Sequence, residues 1–244
     1  MSFSNEEFEK ALALPRLKGH IPEFLPGNRS GPKVRAMNEA QLNAQTKQWF
    51  IEFEKKLDFY EKHGLEVGFL LEWTKKYWWS WLTRDMSLNH ELYIPEVRWK
   101  DPSSFGHDLV GIPEFEKYNF AFFDAIPDWR YDPLPNQIYL DVTPEDEVRF
   151  AVRYIGSGHW SGPLRFHPYD DTAPAMYGNG DFVQAPAIDR YHFNKEGRLQ
   201  EGETVFDVME AGQVVGLLPS GDSWALRTMM NASGKLQKIR ALLR

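Results

Sequence analysis

Val183-Gln184-Ala185-Pro186-Ala187-Ile188-Asp189-Arg190-Tyr191-His192-Phe193, followed by the turn Asn194-Lys195-Glu196-Gly197, is the stretch on which the reading of this chain turns. Side chains alternate across a strand. Val183, Ala185, Ala187, Asp189, Tyr191 and Phe193 therefore share one face, and Gln184, Pro186, Ile188, Arg190 and His192 share the other. The first face is apolar except for one carboxylate. An ionised Asp on a buried face is costly unless it is paired or hydrogen-bonded, and such a group tends to raise its pKa. Asp189 is the leading catalytic candidate. The alternative is a structural Asp bonded to a backbone amide or an arginine.

Around this stretch the hydrophobic period is two. Residues 136–142, 147–155, 161–166 and 199–209 read with it as five strands joined by Gly, Pro, Asn and Asp turns. Upstream the period is helical. Ser4 with Glu7 three residues on is a capping box for a helix over 4–13. Trp49, Phe50, Phe53, Leu57 and Tyr60 recur at three- and four-residue steps in a helix over 38–63, ended by Gly64. A second long helix, 67–84, carries the stripe Phe69, Leu70, Trp73, Tyr77, Trp78 and Trp81, which suits core packing or a pocket wall. Ser87 is placed to cap a short helix through Leu92. Residues 96–101 form a short strand, and 113–126 a third long helix with Pro113 at an early position. Residues 14–37, rich in Pro and Gly, read as an extended arm. Helices followed by a run of strands indicate α+β, with a curled antiparallel sheet leaving a concave interior.

The ends differ in charge. The chain of 244 residues carries a net −7, yet its last 25 residues are basic through Arg227, Lys235, Lys238, Arg240 and Arg244. Ala225, Leu226, Met229, Leu236, Ile239 and Leu242 are spaced there for a helix. This tail is expected to dock on an acidic surface of the same protein or of a dimer mate. The overall acidity argues against nucleic acid or an anionic membrane as the main partner. No cysteine is present, which removes disulfides and thiolate chemistry. No apolar run is long enough to span a bilayer, and the acidic start lacks a signal-peptide pattern, so a cytoplasmic protein is expected.

The order helix, helix, short strand, helix, curved meander resembles the cone-shaped nuclear transport factor 2-like (NTF2-like) fold, and within it the SnoaL-like polyketide cyclase branch. Phe122-Phe123-Asp124-Ala125-Ile126-Pro127-Asp128-Trp129 is similar to the end of that family's third helix. Gly158-His159-Trp160-Ser161-Gly162-Pro163-Leu164 resembles its Gly-Thr-His hairpin, with Trp160 where members place His. Asp189, the turn Glu196-Gly197-Arg198-Leu199, Glu201, and Val205-Phe206-Asp207 continuing through Gln213 to Pro219 resemble its closing strands. Residues 166–172 depart from the family's pattern. The resemblance covers residues 69–219. It implies an NTF2-like cone of curved antiparallel sheet wrapped on about three helices, and a homodimer; the arm and helical extension over 1–68 and the basic helical tail over 220–244 lie outside it.

By resemblance Asp189 matches the aspartate that is general acid/base in the family's aldol cyclases. Proton abstraction next to a carbonyl needs a carboxylate lifted toward working pH by an apolar site. His167, in a loop with Tyr169, Asp170 and Asp171, is the second catalytic candidate, as a proton donor or enolate ligand. His159 is weaker, and His192 lies on the wrong face of its strand. Tyr191 shares the face of Asp189, and Asp207, alternating with Val205 and Met209, is a pocket or hairpin-closing residue. Trp73, Tyr77, Trp81, Trp129 and Trp160 complete the substrate-binding candidates. No His-x-x-x-His pair, phosphate-cradling glycine loop or Gly-x-Ser-x-Gly elbow occurs, so neither metal nor cofactor is expected. The function that follows is a cyclase, isomerase or lyase acting on a hydrophobic, polycyclic or aromatic carbonyl compound with Asp189 as base. The alternatives are an epoxide-type hydrolase and a non-catalytic binding or assembly protein.

Overall fold

The computed structural model describes residues 3–19, 21, 37–104, 106–145, 147–165, 172, 174–216, 218–219, 221 and 223–242. Helix α1 (Asn5–Ala13) opens with the expected capping box of Ser4 and Glu7. Helix α2 (Glu39–Lys62) has a second box, Asn38 with Gln41. Helix α3 (Phe69–Thr83) stops where Arg84 takes a left-handed conformation, φ 62°. The Arg84 guanidinium bonds the carbonyls of Trp81, Pro127 and Trp129, tying the end of α3 to the corner before the sheet. Helix α4 (Asn89–Leu92) has no side-chain cap, which corrects the role given to Ser87. The Ser87 amide instead donates to Asp85 in the preceding turn. Helix α5 (Ile112–Ala125) begins with Pro113 as expected.

Six strands form the main sheet in the order β2-β1-β8-β7-β4-β3. They are β1 (Tyr93–Lys100), β2 (Leu109–Val110), β3 (Arg130–Val142), β4 (Val148–Trp160), β7 (Asp181–Phe193) and β8 (Leu199–Phe206). The short strands β5 (Pro163–Arg165) and β6 (Ala175–Tyr177) make a separate hairpin. The sheet is curved and does not close into a barrel. It is also mixed, not wholly antiparallel as expected. Successive strands β3, β4, β7 and β8 pair antiparallel, but β1 joins β8 in parallel. Alternation along β1 shows which face is buried and carries no information on strand direction. The direction is set by how the chain enters from α4.

The strand β3 begins at Arg130, six residues earlier than the period suggested, with Asn136 at φ 58° where the pairing with β4 shifts. The strand β8 ends at Phe206, and helix α6 (Val208–Val214) follows. Among the described residues no helix is long and apolar enough to cross a membrane.

The core lies between α1, α2 and α3 and the inner sheet face, where Phe8, Trp49, Phe53, Trp78, Phe150 and Phe193 are buried together. Trp49 stacks on Trp78, and Phe53 on Phe150. The inner face of β7 changes in size along its length. Tyr191 and Phe193 fill one end with rings, while Ala185 and Ala187 leave the other end open. On β4 the same change runs from Phe150 to Gly156 and Gly158. A cavity remains over the small residues.

Candidate active site

The cavity of about 210 Å³ sits between α3, α5, α6 and the inner sheet face. Its walls are Trp81 and Tyr77 from α3, Phe115, Tyr118 and Phe122 from α5, Trp99 from β1, and Trp129 and Trp160 at the far end. Close approaches to the sheet shape it. A Cβ on Gly156 would lie 2.1 Å from the Trp129 ring, and one on Gly202 would lie 2.1 Å from the Trp99 ring. Only glycine lets these two indoles lie flat against the strands. Val208, Ala211, Gly212 and Val215, from α6 and the residue after it, complete the wall.

Asp189 stands where the small residues of β7 meet the large ones, and it is 2% exposed. It reaches the cavity wall. Among the described residues no cation pairs with it. The hydroxyls of Tyr131 and Tyr191 donate to its Oδ2 at 3.2 and 3.1 Å, and that of Tyr154 donates to its Oδ1 at 3.2 Å. The Tyr131 and Tyr191 hydroxyls are also 2.9 Å apart, so either can give its one proton to the other instead of to Asp189. Burial pushes the Asp189 carboxyl up to about 7; hydroxyls of Thr204, Tyr191 and Tyr154 oppose the shift and Asp101 adds to it. Desolvation likewise raises Tyr77, Tyr131, Tyr154 and Tyr191, so all four are neutral donors.

A second carboxyl lines the same cavity. Asp101 follows β1, is buried, and accepts at Oδ1 from the Ser103 amide at 2.8 Å and the Ser103 hydroxyl at 2.6 Å. The Ser103 hydroxyl also meets that of Tyr118 at 3.0 Å. Burial raises the Asp101 carboxyl, against the pull of Ser103, Tyr118 and Thr204. Thr204, opposite Asp189 on β8, is a hydroxyl partner of both carboxyls. Asp101 is not among the site residues expected from the sequence, although its signal is the same as that of Asp189. Val97, Trp99 and Asp101 alternate, so a lone carboxylate again ends an apolar face. Tyr154 was legible on the inner face of β4; Tyr131 precedes the strand start that the period suggested.

The expected substrate residues divide. Tyr77, Trp81, Trp129 and Trp160 line the cavity. Trp73 and Tyr191 lie behind it: Trp73 stacks on Tyr77 and donates to the Leu92 carbonyl at 2.9 Å, and Tyr191 acts through Asp189. Asp207 is placed elsewhere. It is exposed and caps α6, accepting from the Met209 and Glu210 amides at 2.9 and 3.0 Å. The strand ends before it, so alternation no longer orients its side chain. His167 lies outside the described residues. His159 bonds Asp128 at 2.7 Å, and Asp128 also accepts from the Lys18 amide, a clamp between the N-terminal segment and β4. His192 faces away from the cavity and meets Glu147 at 2.8 Å. Among the described residues no three His, Asp or Glu side chains gather to hold a metal ion.

No protein-family model matches this chain, and no curated protein matches it. Similar solved structures include a candidate SnoaL-like polyketide cyclase from Jannaschia sp. CCS1, 14% identical, covering 61% of this chain and 92% of its own, with a TM-score of 0.47. An NTF2-like protein of unknown function from Burkholderia pseudomallei is 16% identical, covering 61% and 98%, with a TM-score of 0.43. A candidate polyketide cyclase from Bacillus cereus is 15% identical, covering 63% and 84%, with a TM-score of 0.44. Many of the structural neighbours are SnoaL-like and NTF2-like proteins, the groups that the sequence motifs resemble.

Proposed function

We propose that this chain is a cofactor-independent acid/base enzyme that moves a proton beside the carbonyl of a flat, apolar, ring-containing compound. The observation that carries this reading is two buried carboxyls, Asp101 and Asp189, on the wall of one aromatic cavity. Two interacting carboxyls in a low-dielectric site resist ionising together and titrate as a pair that keeps one proton over a wide pH range.

The partners of each carboxyl support a division of labour. Asp101 faces a backbone amide, which can only donate and so favours its ionised form. The partners of Asp189 are hydroxyls, which can donate or accept, so it can keep a proton without leaving a partner unmet. Asp101 is then the base that removes the proton from the carbon next to the carbonyl. Neutral Asp189, held by its tyrosines, donates a hydrogen bond to the enolate oxygen. Return of the proton from Asp101 to another carbon gives isomerisation; attack of the enolate carbon on a second carbonyl, whose oxygen takes that proton as the carbonyl π bond breaks, gives ring closure. Asp189 is the base expected from the sequence; the amide donating to Asp101 favours the reverse.

Deuterium exchange from heavy water into a panel of fused-ring ketones, followed by NMR, tests this without a known substrate. Asp101→Asn should slow exchange by about 10²–10⁴-fold. Asp189→Leu should slow it by about 10²–10³-fold, whereas Asp189→Asn, whose amide still donates, should lose less. A larger loss in Asp189→Asn than in Asp101→Asn would return the base role to Asp189. Ketones that bind without exchanging in the native protein would make this a binding module.

A further inference from the structure

Thr204 stands between the two carboxyls in the sheet. On one side it is the register partner of Asp189 across β7 and β8. On the other side β1 runs parallel to β8 with Lys100 opposite Glu203, so the next residue along, Asp101, comes beside Thr204. Thr204 is buried, 8% exposed, and lines the same cavity as both carboxyls. Its hydroxyl acts on each of them against the effect of burial. Ser103, with Tyr118 behind it, lies on the Asp101 side, and Tyr131, Tyr154 and Tyr191 lie on the Asp189 side.

A hydroxyl has one proton to give and lone pairs that accept. It therefore cannot donate to two ionised carboxylates at once. With one carboxyl ionised and the other protonated, it donates to the first and accepts from the second. With both ionised, one carboxylate faces only its lone pairs. With both protonated, it donates to a neutral carbonyl oxygen, a weaker acceptor than a carboxylate. The state in which the pair holds one proton gains most from Thr204.

We propose that Thr204 is a positioning residue that joins Asp101 and Asp189 into one proton-sharing unit, donating to the ionised carboxyl and accepting from the protonated one. Its part in catalysis rests on the proton-moving function proposed above. In the resting site the Asp189 proton points to the Thr204 oxygen, and the Thr204 proton points to Asp101. When Asp101 takes the substrate proton, the electron pair of the broken C–H bond passes toward the carbonyl. The negative charge then moves from Asp101 to the enolate oxygen. Thr204 has no carboxylate left to hold, and the Asp189 proton turns to that oxygen.

Two variants of the full chain separate the hydroxyl from the shape of the side chain. Thr204→Val keeps the shape and removes the hydroxyl; Thr204→Ser keeps the hydroxyl and removes the methyl group. Carboxyl carbon chemical shifts of Asp101 and Asp189 followed against pH need no substrate. In the native protein the pair should titrate in two separated steps. In Thr204→Val the lower midpoint should rise and the upper one fall, each by about 0.5–1 on the pH scale. Exchange from heavy water into the fused-ring ketones should slow about tenfold in the same variant. Thr204→Ser, which restores the hydroxyl, should recover both midpoints and most of the rate. Unchanged midpoints in Thr204→Val overturn the bridge. So does a rise in one midpoint alone, the mark of a donor to a single carboxyl, or a Ser variant that behaves like Val, the mark of a packing residue. Absence of exchange with every ketone in the native protein would sink the proposed function and leave the bridge to be decided by the titration.

Discussion

Asp132 and Asp189 are both buried on neighbouring parts of one sheet, yet their surroundings differ in kind. Asp132 is held by Arg130 through two bonds, Nε to Oδ2 at 2.9 Å and Nη2 to Oδ1 at 2.7 Å, and by the Thr46 hydroxyl at 3.0 Å. Arg130 in turn bonds Glu39 and Asn43 on α2. Among the described residues Asp189 has three tyrosine hydroxyls and no cation. One carboxylate has its charge compensated and fastens α2 to β3. The other carries the full cost of burial as a raised pKa, beside a cavity that can admit a substrate. Burial alone therefore does not single out a candidate proton-handling group; burial without a cation among the described residues, at a cavity, does.

The largest effect should come from breaking the compensated pair. Arg130→Met leaves Asp132 buried without its cation and should cost about 3–5 kcal/mol in urea unfolding. A cost below about 1 kcal/mol would show that the pair is not the fastening, and the contrast with Asp189 would fail.

Asp189→Asn should go the other way. The folded-state pKa of Asp189, about 7, lies above that of an unfolded Asp, so the folded chain holds this proton more tightly. Its contribution to stability is complete below pH about 4 and is lost as pH rises through about 7. The Asn variant has no such loss. It should exceed the native protein by roughly 2 kcal/mol at pH 8, with the gain fading toward pH 4. A variant that is less stable at pH 8 would place Asp189 in the same structural category as Asp132.

The smallest effect sharpens the comparison within the site. Tyr154→Phe removes the donor to Oδ1, which should cost about 1 kcal/mol or less and move the Asp189 midpoint further up. Carboxyl carbon chemical shifts followed against pH would read that midpoint. A downward move would mean that Tyr154 accepts from a protonated Asp189 and does not donate to it.

Much of this molecule is written in short stretches of chain. The capping box of Ser4 and Glu7, the helical recurrence from Trp49 to Leu57, and the alternation that puts Asp189 on an apolar face are complete within a few residues, so the sequence alone determined them. Parts of the site failed for want of the same locality. Asp207 was assigned by an alternation that had already ended, and only the turn into α6 decided its role as a cap. Asp101 carries a lone-carboxylate signal as clear as that of Asp189, but nothing in the chain says that β1 lies parallel to β8 and brings the two to one cavity. The cavity itself depends on Gly156 and Gly202 meeting Trp129 and Trp99 from distant segments. Periodicity and caps are chemistry between near neighbours in sequence and can be read there. Which buried carboxylate finds an arginine, and which finds hydroxyls and open space, depends on segments far apart in the chain, and only the packed tertiary structure decided it.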